Sequence, residues 1–117
     1  MSIVRRSGDK ISEVKKMFGG ASEVTLTRIL NTPEEMSGKG RLYNIVTLEP
    51  GAEIGWHVHK GDGETYFILS GTAEYSDNGT PVRLETGDVA VVYDGEGHAL
   101  KNIGADTLTM MALILYS

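Results

Sequence analysis

The chain has 117 residues, of which 40% are hydrophobic and 23% charged, the size and balance of one globular domain with one core. A formal net charge of −5 provides no basic stripe to meet phosphates, which argues against a general nucleic-acid binder. Cysteine is absent, so there is no disulfide, thiolate metal site or thiol nucleophile, and the composition fits a reducing cytoplasm. No apolar run approaches the ~18 residues that span a bilayer. Met1 to Arg6 is not followed by the apolar stretch of a signal peptide, so the expectation is a mature cytoplasmic protein without a membrane partner.

Along the chain, residues 1–22 carry the weakest pattern. Ile11, Val14, Met17 and Phe18 have helical spacing, Ser12 can cap a short turn, and Gly19-Gly20 ends it. The expected element is an N-terminal arm or short helix that covers the rest of the chain, with a partly ordered tail as the alternative. From residue 23 to 117 the pattern is that of a single β domain. Residues 24–29 alternate with period two and predict a strand. Asn31 to Glu35 reads as a helix start that Gly38 and Gly40 stop early, so residues 31–40 are expected to be a loop with one helical turn.

Short strands follow at 41–48, 54–59, 64–69, 72–76, 82–84, 89–93, 98–103 and 108–116, separated by turn residues. Asn78-Gly79 is the clearest turn, because both residue types tolerate positive φ in a two-residue hairpin. Many evenly spaced strands and no long helix predict an all-β sandwich or barrel.

The three histidines carry the chemistry. His57 and His59 form His-x-His on one predicted strand, where residues i and i+2 point to the same face. Glu64 opens the next strand across a Gly-rich turn, and His98 opens another. Three imidazoles and one carboxylate suit one divalent transition metal, with Mn, Fe, Ni and Zn the leading candidates beside Co and Cu. By parity Tyr66 and Ile68 share the face of Glu64, Leu100 and Asn102 share that of His98, and Trp56 and Val58 point away. On strand 41–48 the two faces, Tyr43/Ile45/Thr47 and Leu42/Asn44/Val46, stay undecided. Tyr66, Tyr43, Asn44 and Met110 are the candidate substrate contacts, with Ala112 as an alternative to Met110. No separate general base shows itself, save an acid such as Glu53 if it faces the cavity, so no catalytic residue is assigned.

Gly51, His57, His59, Glu64 and Gly71 match G-x5-H-x-H-x4-E-x6-G at every defined position. Gly87, Gly95, His98 and Asn102 match G-x5-P-x-G-x2-H-x3-N, with Tyr93 in place of the proline. Together these segments resemble the two motifs of the cupin superfamily, in its small single-domain form. The resemblance implies a double-stranded β-helix, or jelly-roll barrel, with His57, His59, Glu64 and His98 as metal ligands. It implies turn or strand roles for Gly51, Gly71, Gly87, Gly95 and Asn102, and a homodimer. Tyr93 puts the rigidity of its turn in question. Three functions fit such a chain. One is a metal-dependent dioxygenase, decarboxylase or isomerase acting on a small carboxylate or sugar-type metabolite. Another is a non-catalytic module that binds or senses a small molecule, and the third is a barrel whose metal is only structural.

Overall fold

A computed structural model of the chain describes residues 2–117. Ten strands form two antiparallel sheets: β1 Ser12–Lys15, β2 Val24–Leu30, β3 Gly40–Leu48, β4 Glu53–Val58, β5 Asp62–Ser70, β6 Ala73–Asp77, β7 Thr80–Leu84, β8 Val89–Val92, β9 Gly97–Asn102 and β10 Leu108–Tyr116. One sheet has the order β1-β2-β3-β10-β5-β8 and the other β4-β9-β6-β7. Among the described residues, helical structure is confined to 3-10 turns at Ser7–Asp9 and Glu34–Met36. This is the all-β sandwich or barrel that the strand pattern predicts, in the jelly-roll form that the resemblance implies.

Alternation decides which side chains go inward. On β5, Asp62, Glu64, Tyr66 and Ile68 are buried, and on β9 His98, Leu100 and Asn102 are. The face of β3 left open by the sequence is also settled: Asn44, Val46 and Leu48 are buried, while Tyr43 faces outward. The two ends of the sandwich differ in chemistry. At one end Val24, Leu48, Leu84 and Leu108 close an apolar floor, and the Asn102 side chain donates to the carbonyls of Leu48 and Asp106. Full burial of each such aliphatic side chain is worth about 1.5–3 kcal/mol. At the other end the inward residues include Glu64 and the histidines, so apolar packing gives way to a cavity.

The hairpin between β6 and β7 turns on Asn78 (φ 51°) and Gly79 (φ 97°), the two positive φ values that this turn type requires. The turn at Tyr93 is held without proline. The Tyr93 N–H donates to the Glu96 carboxylate at 2.8 Å, the Glu96 N–H returns to the Tyr93 carbonyl at 3.0 Å, and Gly95 takes φ 89°. A proline at position 93 would lack the N–H that Glu96 binds here.

The segment 11–18 is not a helix. Ser12–Lys15 is a strand that pairs with β2, Ser12 opposite Thr27, and all four of its residues are exposed. Helical spacing over so few residues is outweighed by the unpaired edge of β2, which offers a full ladder of hydrogen bonds. Beyond β1 the arm crosses to the other sheet. The Gly55 N–H donates to the Met17 carbonyl and the Glu53 N–H to the Ala21 carbonyl, both at 2.9 Å, so the edge of β4 is covered as well. The arm therefore straps the two sheets together along one side.

Its first residues are pinned by Arg5, which donates to the Ile29 carbonyl at 2.8 Å and to the Glu35 carboxylate at 2.9 Å. Hydrogen bonds from Arg5 and from the Asn31 N–H hold the Glu35 carboxyl below its ordinary range. A lowered folded-state pKa means that this contribution is complete at neutral pH and is lost as pH falls through the folded value. The Asn31 amide resonance should report it, because its N–H contacts Glu35 at 3.0 Å. In Arg5→Ala its acid inflection is expected to move to higher pH; an unmoved inflection would show that Arg5 does not hold Glu35.

Candidate metal centre

β4 carries His57 and, just past its end, His59. Simple alternation from the inward Ile54 would turn Trp56 inward and His57 outward. A β-bulge prevents this. Ile54 pairs with Leu100 and His57 with His98, so three residue steps on β4 oppose two on β9. The extra residue re-aims His57 into the barrel and leaves Trp56 half exposed. His59 is then fixed by its backbone, whose N–H donates to the Glu96 carbonyl and whose carbonyl accepts from the Gly95 N–H. Glu64 comes from β5, opposite Ile114 of β10, and His98 from β9.

These four side chains meet at one point. His98 Nε2 lies 3.0 Å from Glu64 Oε1, 3.0 Å from His57 Nε2 and 3.2 Å from His59 Nε2. Glu64 Oε1 is 3.2 Å from His59 Nε2 and 3.6 Å from His57 Nε2. All four donor atoms fall within 4.8 Å of one another, close enough to hold one metal ion. With metal–ligand bonds of about 2.1 Å, donors at right angles lie about 3.0 Å apart and tetrahedral donors about 3.4 Å apart. Two of the five separations sit at the right-angled value, two lie midway and one exceeds the tetrahedral value, so the spacing would suit an ion held in either arrangement.

The outer ring nitrogens show how the histidines are held. Nδ1 of His57 donates to the Gly55 carbonyl at 2.9 Å, within the bulge itself. Nδ1 of His59 meets the Asp62 carboxylate at 2.7 Å, and Asp62 in turn accepts from Arg41 at 2.8 Å. Nδ1 of His98 meets the Tyr75 hydroxyl at 2.8 Å. A carbonyl and a carboxylate can only accept, so His57 and His59 keep Nδ1 protonated and aim the Nε2 lone pair inward when neutral.

Burial pushes the Glu64 carboxyl up, but the three imidazoles gathered around it outweigh burial and hold the group far below the carboxylate range. The hydrogen bond with Glu64 raises His59 against its burial, whereas burial lowers His98. Four electron-rich atoms about 3 Å apart need positive charge among them. A proton on one imidazole supplies part of it; a divalent cation would satisfy all four together, so the residues present fit a metal.

The centre opens on a cavity of about 310 Å³. Of the candidate substrate contacts, Asn44 and Tyr66 line it, as does Ala112. Tyr43 and Met110 are not among its lining residues. Tyr43 lies on the outer face of β3, and Met110 is wholly buried in the apolar core. Glu53 does not line it either, since its carboxylate accepts from the Ala21 N–H and pins the arm. The Tyr66 ring stacks on His98 with centroids 4.7 Å apart. Burial, with the Glu64 charge beside it, pushes the Tyr66 phenol far up, so Tyr66 is neutral.

Phe18, absent from the sequence-based candidates, stacks on His57 at 3.9 Å, and with Glu13, Lys15 and Met17 it makes the arm one wall of the cavity. No motif marks Phe18; only its neighbour Gly19 hints at a turn. Asp62 could have been singled out by parity, two residues before Glu64 on the same face. Tyr75 could not, because its strand reaches His98 only through sheet pairing.

Comparison with known proteins agrees with this geometry. The model of the Cupin domain family matches residues 44–114, more than half of the chain. An oxalate-binding protein of Thermotoga maritima is 36% identical over 113 residues, covering 97% of this chain and 93% of that protein. A crystal structure from Thermotoga maritima, described as a predicted oxalate decarboxylase, superposes with a TM-score of 0.92 at 36% identity, over 98% of this chain and 100% of that one. The cupin domain of Schizosaccharomyces pombe Cnp3 shares the fold alone, with a TM-score of 0.71 at 20% identity over 80% of this chain and 61% of that one. With the two motifs in place on a jelly roll and the family model spanning its centre, this chain belongs to the cupin family.

Proposed function

We propose that this cupin holds one divalent first-row transition metal (manganese, iron, nickel or zinc) on His57, His59, Glu64 and His98, and presents it to a small carboxylate ligand. The observation that carries the reading is the convergence of three Nε2 atoms and Glu64 Oε1 within 4.8 Å at the wall of a cavity. The kinship with a protein named for oxalate binding supports a carboxylate over a sugar. A bound ion supplies Lewis acidity and positive charge for an anionic ligand. The chain does the rest. Gly55, Asp62 and Tyr75 orient the imidazoles, Glu64 lowers the net charge of the centre, and Phe18 and Tyr66 limit water around two of the rings.

Elemental analysis of the purified protein should find about one equivalent of a first-row metal per chain, as one four-donor site requires. Oxalate added to manganese-loaded protein should give saturable binding heat, and chelator-stripped protein should give none. Equal oxalate binding by stripped protein would refute the metal's role. Asp62→Asn leaves the ligands in place but weakens the acceptor for His59 Nδ1, and it is expected to lower metal affinity about 10–100-fold. Competition with a metallochromic dye measures this.

Turnover of the bound acid is a second reading, favoured by Glu13, a carboxyl group on the same cavity wall. Decarboxylation of oxalate breaks its C–C bond, releases CO2 and needs one proton delivered to the remaining carbon to give formate. Formate accumulation from loaded protein, reduced in Glu13→Gln, would support it; no formate above the stripped control would leave binding as the function.

A homodimer is proposed on the apolar outer face of β5 and β8, where Phe67, Leu69, Val89 and Val91 are exposed and Phe67 pairs with Val89. Light scattering should give twice the 12.7 kDa of one chain, and Val91→Glu should return the single-chain mass.

A further inference from the structure

The cavity has a second polar pole, away from the metal centre. One row of paired residues crosses the large sheet: Tyr66 opposite Ala112, Ala112 opposite Asn44, and Asn44 opposite Arg28. Directly paired residues share a face of the sheet, so the Arg28 side chain points the same way as buried Asn44, and both line the cavity. Tyr66 stands two residues from Glu64, at the metal end of the row. Arg28 stands three strand spacings from it, each about 4.8 Å.

The charges along the wall leave Arg28 free. Lys15 faces Glu13 at 3.5 Å, and Arg41 is held by Asp62 at 2.8 Å. Among the described residues, Arg28 is the lining cation that makes no ion pair. Two amides accompany it. Asn44 is only 6% exposed and lines the cavity. Asn31 lines the same cavity, and its buried Oδ1 has no partner. An amide flip exchanges oxygen and nitrogen, so that orphaned position can equally present a donor. A guanidinium with two amides on one cavity wall is a donor set for a carboxylate, and a buried amide atom left without a partner, as at Asn31, is costly.

We infer that Arg28, with Asn44 and Asn31, binds the distal carboxylate of a ligand whose other end lies at the metal, so that the preferred ligand is an extended dicarboxylate and not oxalate itself. The two carboxylates of oxalate share a single bond, so oxalate is far shorter than the three strand spacings between the backbones of Tyr66 and Arg28. A diacid of four to six carbons would span more of that distance, with the Arg28 side chain making up the remainder. This inference rests on the carboxylate-binding reading above.

Calorimetric titration of manganese-loaded protein with two probes separates the possibilities. 2-Hydroxyglutarate and 2-hydroxypentanoate share the same head and length, and only the first has a distal carboxylate. The parent protein should bind the diacid at least tenfold more tightly. In Arg28→Gln that preference should fall to within about twofold of unity, with metal content measured alongside, and Arg28→Lys should restore part of it. Asn44→Leu should also reduce it, which guards against a fold-specific effect of either variant. Equal binding of the two acids by the parent, or a preference unchanged in Arg28→Gln, overturns the distal site while leaving the metal-carboxylate reading intact. Loaded protein that binds neither acid nor oxalate overturns both.

Discussion

Replacing His57 and His98 together by Ala is expected to reduce bound metal from about one equivalent per chain to less than about a tenth. Two imidazoles lost from a four-donor set leave His59 and Glu64, too few to hold a first-row ion against water. The change also costs stability in the metal-free protein. His98 is wholly buried, stacks on Tyr66 at 4.7 Å and meets the Tyr75 hydroxyl at 2.8 Å. Its removal leaves a void and an unpartnered hydroxyl, at a cost of about 2–4 kcal/mol. Glu64→Gln keeps the volume and removes only the charge, so it tests the centre without the void. Elemental analysis and metal-dependent thermal shifts should fall together in both variants. Full metal retention by the double variant would show that the ion sits elsewhere.

The second large effect is expected at Gly55→Ala. A methyl group there would meet the Phe18 carbonyl oxygen head-on, the Phe18 carbonyl carbon at 2.9 Å and the Gly20 N at 3.1 Å. All three are backbone atoms, so no side-chain rotation relieves the contact. Either the arm lifts from β4 or the bulge that aims His57 shifts, for about 1–3 kcal/mol. Some of this cost is offset. Phe18 holds φ 53°, a conformation that costs a bulky residue about 1–2 kcal/mol, and a released arm recovers it. Stacking on His57 and the hydrogen bond from Gly55 to Met17 hold that strain in the native protein. Trypsin should therefore cut faster after Lys15 and Lys16 in Gly55→Ala, and the melting temperature should fall. An unchanged cleavage rate would mean that the arm does not depend on the close approach at Gly55.

The sequence was most informative where chemistry and spacing coincide. His57, His59, Glu64 and His98 are the whole histidine complement plus one carboxylate, set at strand ends beside Gly-rich turns, and the structure brings their donor atoms together. The Asn78-Gly79 hairpin was equally legible, because its requirement for two positive φ values is local. The conformation of the arm was not. Its apolar spacing left a short helix open beside an extended arm, and the free edges of β2 and β4 determine its conformation, edges that exist only in the folded protein. Strand parity also gave no choice between the faces of β3, since either alternation was apolar enough to be buried; pairing with β10 selected Asn44 over Tyr43.

The sequence by itself thus determined an all-β sandwich or barrel, with the jelly roll implied by its resemblance to a family, and the four residues of one candidate metal centre, because strand alternation, turn chemistry and motif spacing act over a few residues. Only the tertiary structure decided how that centre is held and what it faces. The bulge that turns His57 inward, the Asp62 and Tyr75 contacts on the outer nitrogens, the Phe18 wall and the row from Tyr66 to Arg28 all join residues distant in the chain. Their placement follows from sheet register and from which strand edges remain to be covered, properties that no local stretch of sequence contains.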